Sequence, residues 1–167
     1  MAPEPAVAVL VFELGSTRFG LDASSLLEVV RAVAIAPLPQ GPPIVEGVVN
    51  YRGSIVPVLD IRDRFGLPGA PLRTDQCFLV ARAGQRTVAL RVDRATELTT
   101  VSASSIQPAC VSVPDAGYTA GIATLPDGLL IITDLDRFLS LDESERLDAA
   151  VDRISGVLVI ERPIRSP

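Results

Sequence analysis

Gly47-Val48-Val49-Asn50-Tyr51-Arg52-Gly53-Ser54-Ile55-Val56-Pro57-Val58-Leu59-Asp60-Ile61-Arg62-Asp63-Arg64-Phe65 is the stretch that decides how the chain folds. Two apolar runs flank a short polar segment, Asn50-Tyr51-Arg52-Gly53. That is the pattern of a β-hairpin with one arginine at its tip. About 74 residues further on the pattern returns as Gly121-Ile122-Ala123, a turn at Pro126-Asp127-Gly128, an apolar run from Leu129 to Thr133, then Asp134 and Arg137-Phe138. The apolar arms and the closing Asp…Arg-Phe recur. The Asn-Tyr-Arg tip does not. What both copies keep belongs to the scaffold, and what one copy drops is the candidate for function.

Outward from the first hairpin, the chain continues as short strands. Val7–Leu14, a Gly15-Ser16-Thr17 turn and Arg18–Leu21 make an opening pair. Asp22 is placed to cap a helical turn through Ser25, and Glu28–Ala36 reads as a Val-rich strand. Pro37–Pro43 is a loop. Asp60–Phe65 is one helical turn stopped by Gly66. Cys77–Ala83 and Thr87–Val92 form a further hairpin, Ala95–Val101 continues the β pattern, and Ser102–Tyr118 reads as a long loop. The repeat is wider than the hairpin, because Phe19-Gly20-Leu21-Asp22 with Glu28 beyond it is echoed by Leu90-Arg91-Val92-Asp93 with Glu97 beyond it. A unit of about 70 residues with around five strands suits two small barrels packed together, which leave few exposed strand edges. Ser140 and Glu143 match a capping box, and Leu147, Ala150, Val151 and Ile154 share one face of a C-terminal helix. Residues 155–167 read either as an extra strand or as a tail.

Composition narrows the chemistry. Hydrophobic residues make up 48% of the 167 and charged residues 21%, which is a folding chain. The formal charge is −5 and all 15 cations are arginine, with no basic patch to hold nucleic acid. Without histidine there is no Ser-His-Asp triad, Cys-His dyad or His-ligated metal, and without lysine no Schiff base. Cys77 and Cys110 have no zinc spacing and read as free thiols. No phosphate-binding loop, Gly-x-Gly-x-x-Gly or Gly-x-Ser-x-Gly occurs. Asp22, Asp60, Asp93 and Asp134 sit where strands give way to helical turns and read as caps. Met1–Pro5 lacks the basic start of a signal peptide, and no apolar stretch reaches the ~18 residues of a membrane span. A cytoplasmic protein without direct membrane insertion is therefore expected. Arg52 and Glu28, taken alone, are a turn arginine and a strand glutamate in water. Residue chemistry thus reaches a paired-barrel β protein that binds rather than catalyses.

The residues resemble a known family. Gly47–Asp60 looks like the signature of the CheW-like coupling proteins of bacterial chemotaxis. The resemblance runs over roughly residues 8–152 and takes in Phe12-Glu13-Leu14-Gly15, Phe19–Asp22, Glu28-Val29, Leu38-Pro39, Gln85–Asp93, Ser105-Ile106-Gln107-Pro108 and Asp134–Leu139. It implies a mostly β fold, with two SH3-like five-stranded barrels in a pseudo-twofold relation, short helical turns and a C-terminal helix. It implies a single domain over 1–167, with interleaved subdomains at roughly 15–80 and at 81–153 plus the N-terminal strand, and a tail over 154–167. It also implies a non-catalytic adaptor, without cofactor or metal. The partners would be the regulatory domain of a CheA-type histidine kinase and the cytoplasmic tip of chemoreceptors. Carried over by position, the receptor side falls on Arg52, Glu28, Leu26 and Asn50. Kinase contacts in the family are apolar barrel-end surfaces, so no single residue is selected.

Three features depart from the family pattern. Tyr51 stands where the family has Leu, a change of size that leaves the hairpin intact. Pro42-Pro43 stiffens the preceding loop. The chain also extends beyond Asp152, which raises a second reading, a paralogue scaffolding a different signalling array. A ligand-binding double barrel would need an apolar pocket inside a barrel. A hydrolase would need two acidic side chains converging in a cleft.

Overall fold

The structure, a computed structural model, describes residues 5–108, 119–139 and 143–154. In chain order the strands are β1 (Ala6–Leu14), β2 (Thr17–Asp22), β3 (Leu26–Arg31), β4 (Val45–Tyr51), β5 (Ser54–Leu59), β6 (Cys77–Ala83), β7 (Arg86–Val92), β8 (Arg94–Ser102), β9 (Ile106–Pro108), β10 (Thr119–Leu125) and β11 (Gly128–Thr133). A helix, α1, covers 143–154. The strands form a six-stranded sheet ordered β8-β1-β2-β11-β10-β9 and a five-stranded sheet ordered β3-β6-β7-β5-β4. The chain builds the five-stranded sheet from residues 26–92 and the other from the segments on either side of it.

Both sheets use one pairing scheme, the pseudo-twofold of two SH3-like barrels. An edge strand, β3 or β8, pairs with the first strand of a hairpin, β6–β7 or β1–β2. The second strand of that hairpin runs parallel to the second strand of another, β5 of β4–β5 or β11 of β10–β11. The two hairpins singled out by sequence therefore hold equivalent places. Each has a glycine as the third residue of its first strand, at a register shift where another segment crosses. A Cβ on Gly47 would lie 2.2 Å from the Ala36 carbonyl oxygen, and one on Gly121 2.6 Å from Ile106 Cγ2 and 2.9 Å from the Gln107 carbonyl oxygen. Only glycine lets the crossing backbone come that close.

The crossing segments differ from expectation. β3 ends at Arg31 and does not run to Ala36. Ala32 turns its amide to the Gln76 carbonyl, and Ala36 exchanges both backbone hydrogen bonds with Val48 at 2.9 and 2.8 Å. Pro37 and Pro39 then prevent a regular ladder. In the other half, residues read as loop form a 3-10 turn, Ala103–Ser105, and the short strand β9. The expected turns at Asp22–Ser25 and Asp60–Phe65 are present as 3-10 turns at Ala23–Ser25 and Asp63–Phe65.

Side-chain alternation divides the interior into three clusters. Val9 and Val11 fill the six-stranded barrel with Val101, Ala123, Leu130 and Ile132. Val56, Val58, Phe78, Val80 and Ala89 fill the other. The opposite faces of the same strands, Leu10, Phe12, Leu14, Leu79, Val88, Leu90 and Val92, meet in a larger core between the sheets. Strands buried on both faces explain the unbroken apolar runs. At about 1.5–3 kcal/mol for each fully buried large side chain, this shared core dominates the stability. Four phenylalanines run through it: Phe12 to Phe19 at 5.7 Å, Phe19 to Phe65 at 4.8 Å and Phe65 to Phe138 at 5.9 Å between ring centroids. The recurring Arg-Phe is thus explained, because the phenylalanines of the two copies meet edge to face.

Helix α1 buries Leu147 and Ala150. It is tied to the five-stranded half by Glu143 to Arg64 at 2.5 Å, Asp148 to Arg86 and Arg153 to Gln40. Ser140 of the expected capping box, Cys110 and residues 155–167 lie outside the described residues.

Candidate functional site

The hairpin β4–β5 closes on the pair Tyr51–Ser54, which leaves Arg52 and Gly53 as a two-residue loop. Their φ angles are 51° and 85°, the left-handed conformation that a type I′ turn requires at both central positions. Gly53 adopts it at no steric cost, whereas Arg52 carries a backbone penalty that glycine or asparagine would reduce. The Asn50 side chain shapes the loop, its Oδ1 accepting from the Gly53 amide at 2.9 Å.

The arginine held there is paired. Arg52 Nη2 donates to Glu28 Oε1 at 2.5 Å, and the Tyr51 hydroxyl donates to the same oxygen at 2.8 Å. The guanidinium carbon lies 5.4 Å from the centroid of the Tyr51 ring, within cation–π range. Glu28 is on β3 and Tyr51 ends β4, the two edges of the five-stranded sheet. The three side chains therefore bridge the open side of the barrel where backbone bonding between the edges is lacking. The Tyr51 ring packs against the barrel core beneath them.

The Arg52 hydrogen bond, followed by that of Tyr51, holds the Glu28 carboxyl below its ordinary value of 4.5. Both stay ionised at neutral pH. The Arg52 side chain is nevertheless 73% exposed, and exposed ion pairs add little net stability. A strained backbone that presents a partly neutralised, outward-facing arginine is poorly explained by folding alone, and such outliers concentrate where recognition occurs.

Of the four residues carried over for the receptor side, Arg52 and Glu28 touch. Asn50 acts on the turn backbone. Leu26 lies two residues before Glu28 across a register shift and packs against the central core. Tyr51, read from sequence as a change of size only, is a full member of the cluster. Its sequence signal was a phenol directly before the arginine, and the partner of that phenol lies 23 residues away on another strand.

Sequence reading also missed a buried polar cluster at the base of the same hairpin. Arg91 and Arg62 are each 3% exposed. Arg91 donates to Glu46 at 2.5 Å, Asp60 at 3.1 Å, Gln76 at 3.1 Å and the carbonyl oxygens of Ala70 and Pro71. Arg62 donates to Asp93 at 2.5 Å, and the other oxygen of Asp93 accepts from the Gly15 amide. Asp22 and Asp134 do cap turns, accepting from Ser24 and Asp136 amides. Asp60 bonds the Arg62 amide but also both arginines, and Asp93 is the hub that joins the halves. Burial would raise the Asp93 carboxyl, yet its donors, led by the Gly15 amide and Gln76, bring it below its ordinary value. Burial dominates at Glu46 and pushes its carboxyl up.

Glu46 and Asp60 line a cleft of about 600 Å³ with Pro43, Ile44, Arg64 and Glu143. Their convergence is on Arg91, whose five donors they saturate together with the Gln76 side chain and the carbonyls of Ala70 and Pro71. That is a structural clamp, not an acid/base pair with a proton to exchange. Among the described residues no three acidic or thiol side chains are grouped as metal ligands, and no helix is long and apolar enough to cross a membrane. Burial raises the half-buried free thiol Cys77 above its ordinary value, which keeps it a neutral thiol at neutral pH.

Comparison with known proteins adds an independent line. The family model described as CheW-like domain matches residues 8–143. The chemotaxis protein CheW of Klebsiella aerogenes is 30% identical over 142 residues, covering 83% of this chain and 85% of that protein. Protein FrzA of Myxococcus xanthus is 38% identical over 69 residues, 36% of this chain. The crystal structure of the scaffolding protein TtCheW from Thermoanaerobacter tengcongensis superposes with a TM-score of 0.76 at 30% identity, covering 83% of this chain and 96% of that one.

Proposed function

The chain belongs to the CheW-like domain family, and from that premise we propose that it is a non-catalytic cytoplasmic adaptor coupling chemoreceptors to a CheA-type histidine kinase. The observation that carries the receptor side is Arg52, held in a left-handed turn, paired with Glu28 and still exposed. The receptor tip is a helical hairpin. Recognition of a helix face takes an apolar floor and a few polar groups that set orientation. Arg52 supplies a fork of donors for carboxylates or exposed carbonyls. Leu26 and Asn50 support it, one by seating β3 on the core and the other by fixing the turn. The kinase side falls to apolar barrel-end surfaces.

The second reading is a paralogue in a different signalling array. It uses the same site and differs in which receptor and kinase are captured. A ligand-binding barrel has less support, since each barrel is filled by its own side chains.

Co-sedimentation with receptor–kinase membranes tests the proposal. On receptor membranes without the kinase, Arg52→Glu abolishes co-sedimentation while circular dichroism and melting stay unchanged. Retained co-sedimentation of that variant overturns the site.

A further inference from the structure

We propose that Tyr51 is the positioning residue of this site: its hydroxyl orients Glu28, its ring carries Arg52, and together they set the arginine to read hydrogen-bond acceptors on the partner. This rests on the adaptor reading in taking Arg52 as the contact. Three contacts converge on the phenol. Its ring is anchored against the barrel core, its hydroxyl meets Glu28 Oε1 at 2.8 Å, and the guanidinium lies 5.4 Å from its centroid. No aliphatic residue at this place can do more than the first. The arginine follows directly in a two-residue loop, so a fixed Tyr51 fixes where its side chain leaves the backbone.

The arrangement also chooses the chemistry of the partner. Glu28 Oε1 already accepts from two donors, one of them a cation. Arg52 and the Tyr51 hydroxyl occupy that oxygen, and the arginine is the more exposed member of the pair, at 73% against 36% for Glu28. The cluster therefore favours a carboxylate or a free carbonyl on the partner and gives little to a partner lysine or arginine.

The test compares Tyr51→Phe, Tyr51→Leu and Arg52→Glu with the wild-type chain. Binding of a receptor cytoplasmic-tip fragment is followed by calorimetry, and the Glu28 carboxyl is titrated by NMR in the free protein. Tyr51→Phe keeps the ring and deletes one hydrogen bond. It is expected to weaken binding roughly fivefold, to move the Glu28 midpoint upward and to leave melting unchanged. Tyr51→Leu, which also loses the seat of Arg52, weakens binding further. If Arg52→Glu abolishes binding and Tyr51→Phe binds as wild type, the positioning role is overturned and the receptor site stands. If Arg52→Glu binds as wild type, the receptor site falls. The Glu28 titration then decides Tyr51 alone, an upward midpoint in Tyr51→Phe upholding its hold on the pair and an unmoved one refuting it.

Discussion

The two hairpins β4–β5 and β10–β11 occupy equivalent places in their barrels, and they agree and disagree in instructive places. Both place a glycine near the start of the first strand against a crossing backbone, Gly47 and Gly121. Both lead into a turn whose phenylalanine, Phe65 or Phe138, reaches the shared core. At the base they part: Asp60 is bound by the buried Arg91, whereas Asp134 pairs with Arg137, which is 62% exposed. At the tip they carry opposite charge. The first presents Arg52 paired to Glu28, and the second Asp127 paired to Arg18 at 2.9 Å. The half with the arginine tip also has the buried clamp beneath it. A rigid base under a strained, charged tip is what preorganised recognition needs, since little ordering remains to be done on binding.

The base should give the largest contrast. Arg91→Met leaves Glu46 and Asp60 without their shared cation and frees the 66–76 connector, at a cost of about 3 kcal/mol. Arg137→Met, which removes an exposed partner, stays within about 0.5 kcal/mol. Urea unfolding measures both, and equal losses would dissolve the distinction between the two bases. The glycines come next. Gly47→Ala forces a methyl onto a backbone carbonyl oxygen and costs about 3 kcal/mol, whereas Gly121→Ala meets the Ile106 Cγ2 methyl and, at 2.9 Å, the Gln107 carbonyl oxygen less closely, and costs about 1–2 kcal/mol. A reversed order would show that the crossing at Ala36 is looser than the one at Gln107.

The smallest effects lie at the tips and concern protonation. Glu28 and Asp127 are both held below their ordinary values of 4.5 and 3.8, by Arg52 and by Arg18 first. A depressed carboxylate contributes stability that is complete above the unfolded value and disappears as pH falls through the folded one. Arg52→Gln should therefore bring the Glu28 midpoint back up toward 4.5, and Arg18→Gln the Asp127 midpoint toward 3.8, with melting at neutral pH nearly unaltered. Carboxyl titration by NMR reads both. Glu46 runs the other way, because burial raises it, so acid relieves that site while it weakens the tips.

Much of this was open to sequence reading, for a physical reason. Hairpins, glycines at crossings and capping aspartates are local, and their signals sit within a few residues of the structure they produce. The recurring Arg-Phe is local in each copy as well, and its phenylalanines, Phe65 and Phe138, meet in the core. What escaped depends on pairing across the chain. Arg91 finds Glu46 at a separation of 45 residues, and Arg62 finds Asp93 at 31, so two arginines in a chain full of them gave no sign of burial. The strand expected to reach Ala36 stops at Arg31 because the crossing over Gly47 captures the rest. Tyr51 was visible as a residue type but not as the link between opposite edges of a sheet.

The central claim is that the tip of the first hairpin reads a partner and the tip of the second does not. Binding of the receptor cytoplasmic tip, measured for the matched charge reversals Arg52→Glu and Asp127→Arg in the full chain, addresses it directly. The account predicts that Arg52→Glu abolishes the complex and that Asp127→Arg binds as wild type. Equal loss in both variants, or full binding by Arg52→Glu, would contradict it.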